Sequence, residues 1–130
     1  MPRRARRESA TGFYHIVSRG LDRENIFGEK REKTRFLNLL KDNLNECNVE
    51  IYAYCVMSNH FHLLVKVEKE IMPIFMAKVL GRYAKYYNYK HNRIGYVFEN
   101  RYNTQCIEDE RYFWSCLRYI HMNPVKDKNM

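Results

Sequence analysis

The spacing of hydrophobic and polar residues along the chain predicts four β-strands. Short runs of β-branched and aromatic residues, bounded by glycine or polar residues, are typical of strands. Such runs occupy residues 13–19, 49–57, 60–67 and 101–107. Ser58 and Asn59 supply a tight turn between the second and third runs. We therefore expect those two strands to form an antiparallel hairpin.

Three other segments repeat their hydrophobic residues at the spacing of an α-helix. They are residues 30–47, 71–90 and a final segment that begins after Asp109. Pro73 falls in the first turn of the second helix, where proline is tolerated. Asp109 is a favourable N-cap for the third helix, and Pro124 should end that helix near Met122.

These elements follow the order β-α-β-β-α-β-α, and the first six match the split βαβ, or ferredoxin-like, arrangement. The predicted fold is therefore α+β: one antiparallel sheet with helices on one face, and an extra C-terminal helix. A length of 130 residues suits a single domain. We assign residues 1–12 to a basic N-terminal arm and residues 13–130 to that domain.

Charge and composition point to a nucleic-acid partner. Lys and Arg total 23 against 15 Asp and Glu, which gives a net charge of +8. Such a surface attracts polyanions, with nucleic acid first and an anionic membrane surface second. Eleven tyrosines add rings that can stack on unpaired bases, although most tyrosines pack in cores. Four of the arginines, Arg3, Arg4, Arg6 and Arg7, lie within five positions of the arm.

The same composition excludes several classes of protein. No apolar run approaches the roughly 20 residues of a membrane-spanning helix. The N-terminal segment lacks the apolar stretch of a secretory signal, so we expect a soluble, cytoplasmic protein. The four cysteines form no C-x-x-C pair, which argues against a zinc knuckle or a disulfide framework. We expect reduced and mostly buried thiols.

Two short patterns carry candidate chemistry. His60 and His62 are two apart on a predicted strand, so both project from one face and can bind one divalent metal. Tyr119 and Asn123 are four apart on a predicted helix, where a phenol could attack a phosphate beside a cation held by an amide oxygen. Each pattern alone has an ordinary alternative. The histidines could be surface or core residues, Tyr119 could only pack, and Asn123 could only help to end the helix.

Longer segments resemble the HUH family of single-tyrosine transposases. YCVMSNHFHLLV at residues 54–65 is similar to the HUH signature, and LRYIHMNPV at residues 117–125 is similar to the ending of the REP-associated tyrosine transposase branch. YHIVSRG at 14–20, GRY at 81–83 and FENRY at 98–102 follow the family's order. The resemblance covers nearly the whole chain after the arm.

The resemblance implies a metal-dependent transposase that cleaves and rejoins single-stranded or hairpin DNA through a 5′-phosphotyrosine. His60, His62 and Asn123 would be the metal ligands and Tyr119 the nucleophile. Mg²⁺ or Mn²⁺ suits two imidazoles with oxygen ligands, and Zn²⁺ also binds imidazole. Relatives act as dimers or as monomers, so either state is compatible. Candidate DNA-binding residues are Arg3, Arg4, Arg6, Arg7, Arg19, Arg82 and Arg101.

Three other functions stay open at this point. Tyr87 and Lys90 have the Y-x-x-K spacing of rolling-circle initiators, which also carry HUH motifs, and Tyr83 lies one helical turn from Tyr87. The chain could instead be a non-catalytic nucleic-acid-binding protein. It could also be an unrelated metallohydrolase that uses His60, His62 and a further histidine.

Overall fold

Four strands form one antiparallel sheet in the computed structural model, which describes residues 7–126 and the side chains of residues 7–122. The strands are β1 (Phe13–Arg19), β2 (Glu50–Val56), β3 (His60–Lys66) and β4 (Asn103–Ile107). Their order across the sheet is β2-β3-β1-β4, and every neighbouring pair is antiparallel. This is the strand order of the split βαβ arrangement, so the predicted fold class is confirmed.

Three helices accompany the sheet: α1 (Lys30–Cys47), α2 (Met72–Lys90) and α3 (Glu110–Lys126). The predicted bounds of β1 and α1 are confirmed, and Asp109 caps α3 through a 2.8 Å hydrogen bond from the backbone N–H of Tyr112. The predicted end of α3 near Met122 is wrong. The helix continues through Pro124 to Lys126, because a proline in the last turn removes one backbone hydrogen bond and leaves little helix to kink.

The sheet separates two hydrophobic clusters of unequal size. The larger cluster joins Ile16 of β1 and Phe61, Leu63 and Val65 of β3 to apolar residues of α1 and α2. The smaller cluster lies on the opposite face, where Cys116 and Ile120 of α3 pack against buried residues of the strands: Ala53, Cys55, Leu64 and Ile107. Helices α1 and α2 therefore share one face as expected, and α3 covers the other.

Three segments converge on the turn between β2 and β3. The backbone N–H of Gly20 donates to Asn59 O at 2.9 Å, and that of Phe27 donates to Ser58 O at 2.8 Å. Gly20 is closely surrounded, since a Cβ there would lie 2.4 Å from the carbonyl oxygen of Glu24. Phe98 completes the arrangement through a β-bridge with Gly20. The start of β3, where His60 lies, is thus fixed by backbone hydrogen bonds from outside the hairpin.

Two further expectations concern the thiols and membrane insertion. All four cysteines are free thiols, and Cys47, Cys55 and Cys116 are buried, as predicted. Among the described residues, none of the helices combines the length and apolar character needed to span a membrane.

Candidate active site

The two histidines of β3 lie on the face of the sheet that α3 covers. Strand alternation places Phe61 and Leu63 in the larger cluster and His60 and His62 on the opposite side. The two imidazole rings are 5.1 Å apart between centroids. The sequence prediction that both project from one face is confirmed by this geometry.

Hydrogen bonds define which nitrogen of each ring carries a lone pair. Nδ1 of His60 lies 2.8 Å from Oδ1 of Asn59, and a carboxamide oxygen only accepts. Nδ1 of His60 therefore carries the proton, and Nε2 carries the lone pair. In His62, Nδ1 lies 3.0 Å from Nε2 of His15, so its Nε2 is the nitrogen turned away from this contact.

His62 is held in its neutral form. Its side chain is buried, and burial lowers its pKa from 6.5 to about 4, with smaller contributions from the nearby His15 and His60. Burial also lowers the pKa of His15, against a hydrogen bond with Gln105 that raises it. A neutral imidazole is the form that binds metal, so the environment of His62 suits a ligand at physiological pH.

Tyr119 on α3 lies beside His62 and His15. Its ring centroid is 5.4 Å from that of His62 and 6.2 Å from that of His15. The side chain is half exposed. Cys116 and Ile120, its neighbours along α3, are buried in the smaller cluster and anchor the helix. Tyr119 therefore stands at the margin of that cluster, close to an imidazole and open to solvent.

An open cleft of about 730 Å³ connects these side chains. Its walls come from β1, β3, β4 and α3, and among the described residues most of the lining side chains are polar and none is acidic or basic apart from the histidines. The lining residues are His15, Val17, His62, Asn103, Thr104, Gln105, Tyr112, Ser115, Cys116 and Tyr119. A neutral, polar cleft of this kind can admit an anionic strand without burying an opposing carboxylate.

The donor set fits a metal with two protein nitrogens and further oxygen ligands. Within the described residues, no three His, Cys, Asp or Glu side chains are arranged to hold one ion. Asn123 follows Tyr119 by one turn of α3, but its side chain lies outside the described part. Its predicted role as third ligand stays a prediction.

The rival tyrosines of α2 are buried. Tyr87 is 3% exposed, its hydroxyl donates to Glu24 Oε2 at 2.6 Å, and burial raises its pKa. Tyr83 is fully buried, its hydroxyl donates to the carbonyl oxygen of Ile26, and burial raises its pKa as well. Both lie in the larger cluster, across the sheet from His62. This burial favours Tyr119 as the nucleophile.

The candidate DNA-binding arginines are dispersed. Arg19 pairs in register with His60 across β1 and β3 and forms a 3.8 Å ion pair with Glu99. Arg82 is exposed on α2, and its guanidinium donates to Asn43 of α1, on the other side of the sheet from Tyr119. Arg101 precedes β4. Arg7 is largely exposed and lies 3.6 Å from Glu108. Arg3, Arg4 and Arg6 lie outside the described residues.

Sequence reasoning assigned no role to three polar residues of the cleft. His15, Gln105 and Tyr112 come from β1, β4 and α3, and they meet only because the strands pair in the observed register. His15 does stand in one of the blocks that resemble the transposase family. That block was the available signal, but the pattern of the residues gives no indication that His15 faces His62.

Comparisons with known proteins bear on the family and the fold of the chain. The sequence profile described as IS200-like transposase matches residues 9–123. A structure of a REP-associated tyrosine transposase bound to a REP hairpin superposes with a TM-score of 0.75 at 16% identity, covering 97% of this chain and 74% of that one. A protein of Deinococcus radiodurans R1, provisionally described as a transposase, gives 0.60 at 17% identity, covering 93% and 95%. A search of curated proteins finds no match.

Proposed function

Because the chain belongs to the IS200-like transposase family, we propose that it cleaves and rejoins single-stranded or hairpin DNA through a 5′-phosphotyrosine on Tyr119. The observation that carries the proposal is the position of Tyr119, half exposed in the cleft with its ring 5.4 Å from that of His62. A nucleophile must reach a phosphate that enters from solvent, and no buried tyrosine of α2 meets that requirement.

The proposed reaction exchanges one phosphoester for another. The phenolic oxygen of Tyr119 attacks the scissile phosphorus and forms a P–O bond, while the bond from phosphorus to the 3′ oxygen breaks. The phenolic proton is lost, and the leaving oxygen gains a proton to become a 3′-OH. A second 3′-OH reverses the exchange and restores Tyr119. Since each step keeps the number of phosphoester bonds constant, no ATP is needed.

We propose that His60, His62 and Asn123 hold a divalent ion, Mg²⁺ or Mn²⁺. When bound, such an ion polarises the phosphate and stabilises the charge that develops during attack. The chain's own contribution is to keep the His62 imidazole neutral by burial and to engage Nδ1 of both rings in hydrogen bonds, so that Nε2 of each is the nitrogen offered to the ion. Tyr119 then needs only a short approach, because α3 already places it beside His62.

The position of Tyr119 also bears on whether the protein acts as a monomer or as a dimer. Tyr119 and the histidine pair of one chain lie together, which supports a site assembled within a single copy and favours activity as a monomer over a shared site in a dimer. The similar REP-associated transposase was solved with a REP hairpin, and we propose hairpin DNA as the partner here. Such a substrate implies a cytoplasmic location.

The test is formation of a covalent protein–DNA adduct. The chain is incubated with hairpin-containing single-stranded DNA and Mn²⁺ and then resolved on a denaturing gel. We expect an adduct for the wild type and for Tyr87→Phe, and none for Tyr119→Phe. Peptide mass spectrometry should locate the phosphotyrosine at Tyr119.

Other outcomes separate the alternatives. An adduct on Tyr87 would show a rolling-circle type of nickase. Tight DNA binding with no adduct from the wild type would show a non-catalytic binding protein. Hydrolysis of small phosphoesters without an adduct would show an unrelated metallohydrolase.

A further inference from the structure

His15 is a buried polar residue that the proposed reaction does not itself use. It lies on β1, directly opposite Gln105 of β4 and diagonal to His62 of β3. Its Nε2 is 3.0 Å from Nδ1 of His62, and the two rings are nearly parallel, with an angle of 22°. The side chain is only 9% exposed. A buried pair in such close contact has a fixed geometry.

One direction of the hydrogen bonds is consistent along the whole chain of groups from His62 through His15 and Gln105 to Tyr112. Oε1 of Gln105 accepts a 2.7 Å hydrogen bond from the hydroxyl of Tyr112. The side chain of Gln105 also hydrogen-bonds with His15, and when Oε1 takes this second bond, His15 is the donor. His15 makes this bond through Nδ1, since its Nε2 faces His62. With that direction, Nε2 of neutral His15 accepts the Nδ1–H of His62 across the 3.0 Å contact.

We propose that His15 is a positioning residue for the metal site, which fixes His62 as the tautomer whose Nε2 lone pair points into the cleft. This inference rests on the proposed function, because it assumes that His62 is a metal ligand. Metal-binding histidines commonly donate their other N–H to a partner that sets ring orientation and basicity. His15 itself is unsuited as a ligand, since its Nε2 is directed at a nitrogen of His62 and not at the shared cleft.

The contact also explains why β1 matters to a site on β3. Without an acceptor at residue 15, the His62 ring could turn, or its proton could move to Nε2, and either change removes the ligand. Asn59 gives His60 the equivalent partner from the adjacent turn. The two imidazoles are therefore oriented by different elements, one by the hairpin turn and one by the neighbouring strand.

Two variants separate this role from simple packing. His15→Leu fills the space without an acceptor, whereas His15→Gln keeps an amide oxygen at a similar reach. We expect the affinity of the DNA-free protein for Mn²⁺, measured by electron paramagnetic resonance, to fall by about 10–100-fold in the Leu variant. The Gln variant should recover most of that loss. Thermal unfolding checks that both variants remain folded.

A second measurement needs no metal. Long-range ¹H–¹⁵N spectra of the metal-free protein report the tautomer of His62, which should be Nδ1–H in the wild type and in the Gln variant, and largely Nε2–H in the Leu variant. An Nε2–H tautomer in the wild type, or equal Mn²⁺ affinity for the Leu and Gln variants, would overturn the proposal. A wild type that binds Mn²⁺ as expected but forms no DNA adduct would instead refute the proposed function alone.

Discussion

At the scale of single residues, the immediate surroundings of His62 and His60 set the hydrogen bonds of both rings and the pKa of His62. His62 is buried enough to stay neutral, with a pKa lowered to about 4, and its Nδ1 is occupied by His15. His60 stands at the first position of β3, where the turn supplies Asn59 as its partner. Small polar neighbours therefore decide which nitrogen of each ring can bind a metal.

We expect His60→Ala or His62→Ala to abolish DNA cleavage while changing DNA affinity by less than about threefold. Loss of a ligand removes the ion that stabilises the attack, whereas binding should come mainly from basic and aromatic surface. Adduct assays and fluorescence anisotropy measure the two effects. Thr34 is exposed on α1, on the other face of the sheet, so Thr34→Ala is the control and should behave like wild type. Cleavage by the double histidine variant with added Mn²⁺ would contradict the metal assignment.

The residues that sequence reasoning found and missed differ in one physical respect. His60 and His62 share a strand, so alternation alone places them on one face. Tyr119 and Asn123 share a helix, and their spacing follows in the same way. His15 reaches His62 across two strands, and this contact depends on the register of β1 against β3, which the local pattern does not determine.

At the scale of elements, the described strands and helices follow their local sequence closely. Apolar spacing and turn residues place β1 and α1 at their observed bounds. The exception is the end of α3, where a helix-breaking residue near a terminus has a small effect. The packing of α3 on the opposite face from α1 and α2 was not predictable, since an amphipathic helix can cover either side of a sheet.

Substitution of Gly20 tests whether the close packing around this residue contributes to the stability of the fold. Gly20→Ala should destabilise the protein by about 1–3 kcal/mol, because the new Cβ would overlap the carbonyl oxygen of Glu24. Gly81→Ala is the matched control. A Cβ there meets nothing within 4 Å, and alanine in a helix should stabilise by about 0.5–1 kcal/mol. Urea unfolding measures both, and equal effects would contradict the proposed crowding at Gly20.

At the scale of the whole molecule, function should depend on a net charge of +8 that is unevenly arranged along the chain. Four arginines fall within residues 1–7, whereas no Lys, Arg, Asp or Glu is found among the described residues that line the cleft. We infer that the basic arm attracts the DNA by its charge and that the neutral cleft is where the DNA is cleaved.

Replacing Arg3, Arg4, Arg6 and Arg7 with glutamine should weaken DNA binding and flatten its dependence on salt. Each lost phosphate contact lowers the slope of log affinity against log salt by about 0.7 on single strands. Affinity measured from 50 to 300 mM KCl tests this, with lysine at the same four positions as the control that retains charge. An unchanged slope in the glutamine variant would show that the arm takes no part in binding.

The alternation along β3 has a consequence for how the gene can change. One strand serves two purposes, since Phe61, Leu63 and Val65 fill the larger cluster while His60 and His62 lie on the opposite face, where His62 lines the cleft. A single-residue insertion or deletion just before His60 would shift the strand by one position and exchange the two sets, unless the turn absorbed the change. An imidazole would then enter the core, and a phenylalanine would take the place of a proposed metal ligand. A mutation that changes the length of this hairpin should therefore impair folding as well as activity, whereas a substitution of either histidine should impair activity alone.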